Sequence, residues 1–193
     1  MKPVPLIKLS LLFLLLPFHS VLADATQSWL GKADITFDGT STLHAWGGKV
    51  SARPFTTRVT LDAAGRPSRI QAEVTVEAGK MNTAEAKRDK NLRKAMKVAD
   101  HPLIRANIDV PAGKIAADGR TPTQLPMTLT LLGKSQQITA TITHWKLQDG
   151  KATFDLDFPV SLKTSGISVP TVLLFIKVGD GISVHSSVTL IQN

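Results

Sequence analysis

Residues 151–162 read KATFDLDFPVSL, and this stretch decides the fold class. Apolar side chains occupy every second position from Ala152 to Leu162, while Lys151, Asp155 and Asp157 fall on the alternate positions. A period of two places successive side chains on opposite faces of a strand. We therefore predict a strand with one face in a hydrophobic interior and the other face in water.

The same alternation recurs along most of the chain. It is repeated by residues 69–78, and residues 127–142 contain two such runs joined at Gly133-Lys134, which predicts a hairpin. Weaker alternation covers residues 32–38, 43–52, 55–62, 103–110 and 182–191. Eight or nine strands at regular spacing favour an all-β barrel or sandwich over alternating strands and helices.

One segment, residues 84–99, departs from the period of two and has helical spacing instead. Its apolar stripe consists of Leu92, Ala95 or Met96, and Ala99. Asn82 and Thr83 are candidate caps, Glu85 falls in the first turn, and His101-Pro102 would stop the helix. We predict a single helix that interrupts an otherwise all-β domain.

An export signal is predicted at residues 1–23, which leaves residues 24–193 as one domain. Lys2 and Lys8 lead into an apolar run over residues 9–18, and Val21-Leu22-Ala23 resembles a cleavage site. The run is too short to span a bilayer, which takes roughly 20 residues. The chain contains no cysteine, which excludes a disulfide framework, a thiol nucleophile and a lipid anchor on cysteine. We expect a periplasmic protein.

The chain is basic, with a formal net charge of +8 that falls to +6 if Lys2 and Lys8 are removed. Tyrosine is absent and aromatic residues are scarce, so we expect no nucleic-acid partner. The predicted helix concentrates the basic side chains Lys87, Arg88, Lys90, Arg93, Lys94 and Lys97. Two interpretations stay open: a solvated helix face, or peripheral contact with an anionic membrane surface or a diphosphate.

No motif indicates catalysis or metal binding. The histidines that would follow the signal, His44, His101, His144 and His185, lack metal-ligand spacing to one another. Neither a G-x-S-x-G nor an S-x-x-K sequence accompanies them. We therefore predict no catalytic residue, no metal and no cofactor.

The stretch Val172-Leu173-Leu174-Phe175-Ile176 is apolar on both faces whichever period is applied. One interpretation is a strand buried on both faces. The other is a strand or lid that lines an apolar cavity.

Taken in order, the motifs resemble the YceI-like family of periplasmic lipid- or polyisoprenoid-binding proteins. The motifs that carry the resemblance are Phe37 and Ser41-Thr42-Leu43-His44, Gly48-Lys49-Val50 and Phe55, Asn82-Thr83, Arg88-Asp89, Asn91-Leu92, Ala95-Met96-Lys97, His101-Pro102-Leu103-Ile104, residues 129–134, residues 162–167 and Val178-Gly179-Asp180. They cover residues 30–190, essentially the whole predicted domain.

The resemblance implies a lipocalin-like eight-stranded antiparallel β-barrel with one interrupting α-helix and an apolar tunnel. It implies a periplasmic binding protein or carrier for a long apolar lipid, an isoprenoid such as a quinone or a polyprenyl compound. On this hypothesis the tunnel residues that grip the ligand are Ile70, Val74, Leu129, Ile142, Phe154, Phe158, Leu173, Leu174 and Phe175. The residues predicted at the head-group end are His44, Trp46, Arg93 and Lys163.

Two alternatives differ in what the barrel interior does. A packed barrel would act as a structural or interaction module of the envelope without a lipid ligand. A lipid hydrolase or isomerase would need His44 and nearby acids at the mouth of the tunnel.

Overall fold

The computed structural model describes residues 25–168 and 178–193, which form strands around one helix. The strands are β1 Thr26–Ser41, β2 Ala45–Ser51, β3 Phe55–Leu61, β4 Pro67–Glu77, β5 Leu103–Pro111, β6 Gln124–Leu131, β7 Lys134–Gln148, β8 Lys151–Ser161 and β9 Val178–Gln192. Helix α1 spans Ala86–Ala95, and short 3-10 turns lie at Ala78–Lys80 and Ala112–Lys114. The predicted export signal and the apolar run with Leu173, Leu174 and Phe175 lie outside the described residues.

The sheet closes on itself. Neighbouring strands pair antiparallel, and β1 also pairs with β9 from Trp29–Gln192 to Ser41–Val178. Strands β2 and β3 are two parts of one bent strand, because both pair with β1. The break between them lies around Pro54, which has no backbone N–H to donate to a neighbouring strand. Counted in this way, the nine strand segments make an eight-stranded antiparallel barrel, as predicted.

The alternation that predicted the strands is the alternation between the two faces of the barrel wall. In β8, Ala152, Leu156 and Val160 are buried, whereas Asp157 is exposed. The predicted hairpin is β6–β7, but its turn residues are Leu132-Gly133, because Leu131 pairs with Lys134. Both turn residues have positive φ, 47° and 73°, the geometry of the two-residue turn that matches strand twist.

Helix α1 begins later than predicted. Its N-cap is Glu85, whose carboxylate accepts hydrogen bonds from the N–H groups of Lys87 and Arg88. The predicted caps Asn82 and Thr83 lie outside the helix because Ala84, with a φ of 60°, turns the chain between them and Glu85.

The helix also ends at Ala95, well before the predicted stop at His101-Pro102. Lys97 has a φ of 46°, and a left-handed residue just after the last turn terminates a helix. Ala99 is therefore exposed, contrary to its predicted place on the apolar stripe, while Met96 is buried. Within the described ranges, no helix is both long enough and apolar enough to cross a membrane.

The strand directions define two ends of the barrel. The helix end carries the β1–β2 turn, residues 78–102 with α1, the β6–β7 turn, and the end of β8 with the start of β9. The far end carries residues 62–66, residues 112–123 and residues 149–150, and β1 starts and β9 finishes there. These two names are kept below.

Candidate ligand-binding site

An apolar cavity of about 820 Å³ occupies the barrel interior. Every described strand contributes side chains to its wall, and Leu92 and Met96 contribute from α1 and its C-cap. The volume lies in the range of about 300–1,000 Å³ that is usual for ligand-binding pockets. An eight-stranded barrel is just wide enough to hold one slim ligand when its core is not filled by side chains.

The cavity is too large to be a packing defect. Its volume of about 820 Å³ is several times that of an engineered apolar core cavity of about 150 Å³, which stays dry and binds small apolar molecules. The apolar wall also gives water few hydrogen-bond partners, so the cavity suits an apolar ligand. This geometry argues against the packed-barrel alternative.

The predicted tunnel residues that fall in the described ranges all line the cavity. They are Ile70, Val74, Leu129, Ile142, Phe154 and Phe158. The small side chains of Ala72 and Ala152 also line it and leave room, whereas Ala140 is fully buried elsewhere in the wall. That these residues touch a ligand stays a prediction.

The structure places one of the four predicted head-group residues on the cavity wall and the other three outside it. Trp46 lines the cavity, packs edge-on against Phe37 at 6.4 Å, and donates its Nε1–H to the carbonyl oxygen of Thr40 at 3.3 Å. His44, Arg93 and Lys163 are exposed and do not line the cavity. A contact from these three requires a head group that extends beyond the cavity, and it stays a prediction.

The segment before α1 fixes the helix over the cavity. Thr83 donates both its N–H and its hydroxyl to Asp89, at 2.8 and 2.6 Å, and these hydrogen bonds lower the pKa of that carboxyl. Arg88 Nη2 donates to the carbonyl oxygen of Thr83 at 3.1 Å. The helix thus turns Leu92 and Met96 inward, while Lys87, Lys90, Arg93 and Lys94 are exposed.

Sequence reasoning missed the cavity wall at the far end. Trp29, Asp62, Arg66, Arg120 and Trp145 all line the cavity there. The sequence does contain a signal for Trp145. The apolar residues of this strand occupy even-numbered positions up to Ile142 and odd-numbered positions at Trp145 and Leu147, which indicates an irregularity between them. The structure has a bulge between Thr143 and Lys146, which moves the following side chains to the other face.

The histidines of the barrel wall do not face the cavity. His185 Nδ1 lies 2.8 Å from Asp157 Oδ1, and His144 Nδ1 lies 2.9 Å from Asp155 Oδ2. The hydrogen bond with Asp157 raises the pKa of His185, and a hydrogen bond from Ser187 is the main cause that lowers the pKa of Asp155. Within residues 25–168 and 178–193, no group of three or more acids and histidines is arranged to hold a metal.

The acid on the described cavity wall is Asp62, at the far end. Its Oδ1 accepts the backbone N–H groups of Ala64 and Arg66, and its Oδ2 accepts the guanidinium of Arg66 at 2.9 Å. These hydrogen bonds, that from the Arg66 backbone first, lower the pKa of Asp62. A general acid near neutral pH needs a shift in the opposite direction, so this carboxylate gives no support to the enzyme alternative.

Solved structures of other proteins share this fold. BcnA of Burkholderia cenocepacia aligns with a TM-score of 0.60 at 11% identity, covering 81% of this chain and 95% of that one. A polyisoprenoid binding domain from Saccharophagus degradans, implicated in plant cell wall breakdown, has a TM-score of 0.54 at 11% identity, with 86% and 98% covered. A mutant CJ YCEI protein with a monobromobimane guest has a TM-score of 0.50 at 18% identity, with 72% and 80% covered.

The family comparison is more direct than these distant structural likenesses. No curated protein matches the sequence. The family model for the YceI-like domain, however, matches residues 24–190, which include every strand and the helix except the last residues of β9. The chain therefore belongs to the YceI-like domain family.

Proposed function

We propose that this protein is a binding protein or carrier for a long apolar lipid, an isoprenoid such as a quinone or a polyprenyl compound, held inside the barrel. The single observation that carries the proposal is the apolar cavity of about 820 Å³. On β1 its wall runs from Gln27 to Phe37, about 33 Å at about 3.3 Å per residue, which suits an elongated ligand rather than a compact one. The Saccharophagus domain with the same fold is described as polyisoprenoid-binding, which supports this ligand class.

Burial alone supplies ample affinity for such a ligand. Transfer from water contributes about 0.8 kcal/mol per buried carbon, so a chain of about 20 carbons gains about 16 kcal/mol before ordering costs are subtracted. Retention therefore requires no covalent bond and no catalytic group. We infer that the protein binds and releases its ligand unchanged.

A chain-length series tests the proposal. Delipidated protein is titrated with geraniol, farnesol and geranylgeraniol, with tryptophan fluorescence as the readout. The proposal predicts that affinity rises with each added isoprene unit, because each unit buries more apolar surface. Equal affinity for all three alcohols, or no saturable binding, would refute it.

We also propose that the protein acts in the periplasm and contacts an anionic membrane surface through the outer face of α1. The exposed side chains that support this contact are Lys87, Lys90, Arg93, Lys94 and Lys97. The described residues place no acidic partner within ion-pair distance of any of them. Cell fractionation with N-terminal sequencing of the mature protein tests the location and the predicted cleavage near Ala23.

A further inference from the structure

Among the described residues, the charged ones that line the cavity are confined to one end. The charged residues on the described wall are Asp62, Arg66 and Arg120, and all three lie at the far end together with Gln27. At the helix end, by contrast, the wall includes apolar side chains such as Met81 and Leu92 and no charged one among the described residues. The cavity is therefore amphipathic along its length.

The positive charge at the far end is only partly compensated. Arg66 donates Nε to Asp62 Oδ2 at 2.9 Å, and its Nη2 lies 2.9 Å from the same oxygen, so these two charges neutralise each other. The guanidinium of Arg120 has no hydrogen bond or ion pair to any described residue. The carboxylate of Asp118 accepts the N–H groups of Arg120 and Thr121 instead, which fixes the turn that carries the arginine.

We infer that the ligand lies with its polar group at the far end and its apolar tail under α1, and that the polar group is anionic, a carboxylate or a phosphate that pairs with Arg120. This inference rests on the proposed function, because it assumes that a lipid occupies the cavity. An ionised group at the helix end of the cavity would lose its hydration without gaining a charged partner, whereas at the far end it meets a guanidinium and water.

The inferred orientation differs from the sequence-based prediction, which placed the head group near His44, Trp46, Arg93 and Lys163. The indole N–H of Trp46 is already bonded to Thr40, and the other three side chains do not line the cavity. The two orientations predict opposite positions for the ends of a bound lipid.

The three tryptophans of the chain allow the orientation to be measured, because Trp29 and Trp145 line the far end and Trp46 lines the helix end. The Trp46→Phe variant reports from the far end, and the Trp29→Phe/Trp145→Phe variant reports from the helix end. Each is titrated with stearate that carries a nitroxide quencher at carbon 5, near the carboxylate, or at carbon 16, near the methyl end. Circular dichroism establishes that both variants are folded.

The inference predicts that the carbon-5 label quenches the far-end tryptophans more strongly and that the carbon-16 label quenches Trp46 more strongly. The reverse order would overturn the orientation while leaving the proposed function intact. If neither label quenches either variant at saturating stearate, the inference is overturned, whereas the proposed function is decided separately by the titration with isoprenoid alcohols.

A matched pair of substitutions tests the charge of the head group. Binding of oleate is compared with oleyl alcohol, and geranylgeranyl phosphate with geranylgeraniol, for Arg120→Gln and for the control Lys114→Gln, an exposed far-end residue that does not line the cavity. Arg120→Gln should weaken binding of at least one anion about fivefold, as expected for loss of a solvent-accessible ion pair, and leave both alcohols unchanged. The anion with the larger loss distinguishes a fatty acid from a phosphorylated isoprenoid.

The control should leave all four affinities unchanged. Unchanged affinity of Arg120→Gln for both anions, or an equal loss in Lys114→Gln, would overturn the anionic assignment at the far end.

Discussion

The two ends of the barrel differ in where they place their charge. At the helix end the cavity wall is apolar and the unpaired basic side chains lie outside, on α1. At the far end charged residues reach the cavity wall itself, and one arginine there has no partner among the described residues. A single continuous cavity thus joins a covered apolar end to an end that can hold a polar group, which is the arrangement an amphiphile needs.

The difference also explains what α1 contributes. Helix α1 has no fully buried residue, so its stability must come from its N-cap and from the few side chains it turns inward. Glu85 supplies the N-cap, Asp89 binds Thr83 in the segment before the helix, and Leu92 and Met96 supply the inward contacts. We regard α1 as a cover over the cavity, and its outer face is the surface that we propose to contact the membrane.

The largest expected effect comes from cutting the cavity between its two ends. Ala72, in the middle of β4, lines the cavity, and Ala72→Trp would place an indole across it. We expect uptake of geranylgeraniol to fall below detection while the fold is kept, because the added side chain occupies space that is already open.

Glu73→Trp is the matched control, since Glu73 is the exposed neighbour on the same strand. It should bind the alcohol as the wild type does. A folded Ala72→Trp protein that still takes up the lipid normally would show that the ligand does not occupy the barrel interior.

The second effect distinguishes the outer surfaces of the two ends. Reversing Lys90, Arg93 and Lys94 to Glu should lower binding to phosphatidylglycerol vesicles at least a hundredfold, because each basic residue near an anionic surface contributes about 1 kcal/mol. The measurement is vesicle co-sedimentation at low and at high salt.

The matched control reverses Lys114, Lys146 and Lys151, which are exposed at or near the far end and give the same change in net charge. This variant should lose far less binding. Equal losses in the two variants would mean that net charge alone, and not α1, governs attraction to the membrane.

A third, smaller effect concerns the N-cap of α1. Glu85→Ala removes the acceptor for the N–H groups of Lys87 and Arg88, and the loss of an N-cap costs about 1 kcal/mol. Urea unfolding should therefore give a lower free energy of unfolding than for the wild type. Hydrogen exchange should become faster in residues 86–95 and stay unchanged in β8. Lys87→Ala, on the same exposed turn, should change stability by less than about 0.5 kcal/mol. Exchange that stays unchanged in α1 of the Glu85 variant would count against this account of the cap.

The smallest expected effect is on the pH dependence of stability, and it comes from the pair His185–Asp157 on the outside of the barrel wall. The hydrogen bond with Asp157 raises the pKa of His185, so the protonated pair stabilises the fold below the unfolded-state pKa of about 6.5. That contribution should be lost as the pH rises through the folded pKa, and its size should be below about 1 kcal/mol because the pair is solvent-exposed. Unfolding free energies of the wild type and His185→Gln should differ most near pH 5.5 and converge near pH 8.5. A difference that does not depend on pH would exclude this ion pair as its cause.

Strand positions were predictable from the sequence because one face of each strand is apolar and the other polar. The same periodicity identified the cavity wall from Ile70 to Phe158, since in a closed barrel the apolar face is the inner face. The limits of α1 were not predictable, because they depend on two non-glycine residues, Ala84 and Lys97, with positive φ. Left-handed conformations at such residues leave no mark in composition.

The strand residues that line the cavity were predictable from the sequence, whereas the residues that line its ends were not. Cavity-lining positions follow from alternation within a strand, whereas Asp62, Arg66 and Arg120 come from connections that approach the cavity only after the barrel closes. Sequence reasoning also placed the head group near His44, Trp46, Arg93 and Lys163. In the structure only Trp46 lines the cavity, and the inner face of the helix is formed by Leu92 together with Met96 at its C-cap.

The central claim is that the cavity holds a long apolar lipid. It is tested most directly by mass spectrometry of an organic extract of the mature protein, purified from a periplasm without detergent. The account predicts one isoprenoid or other long-chain lipid in a near-stoichiometric amount, present in the wild type and absent from the Ala72→Trp variant. An extract without lipid, together with no uptake of added polyprenyl or quinone lipid, would contradict it.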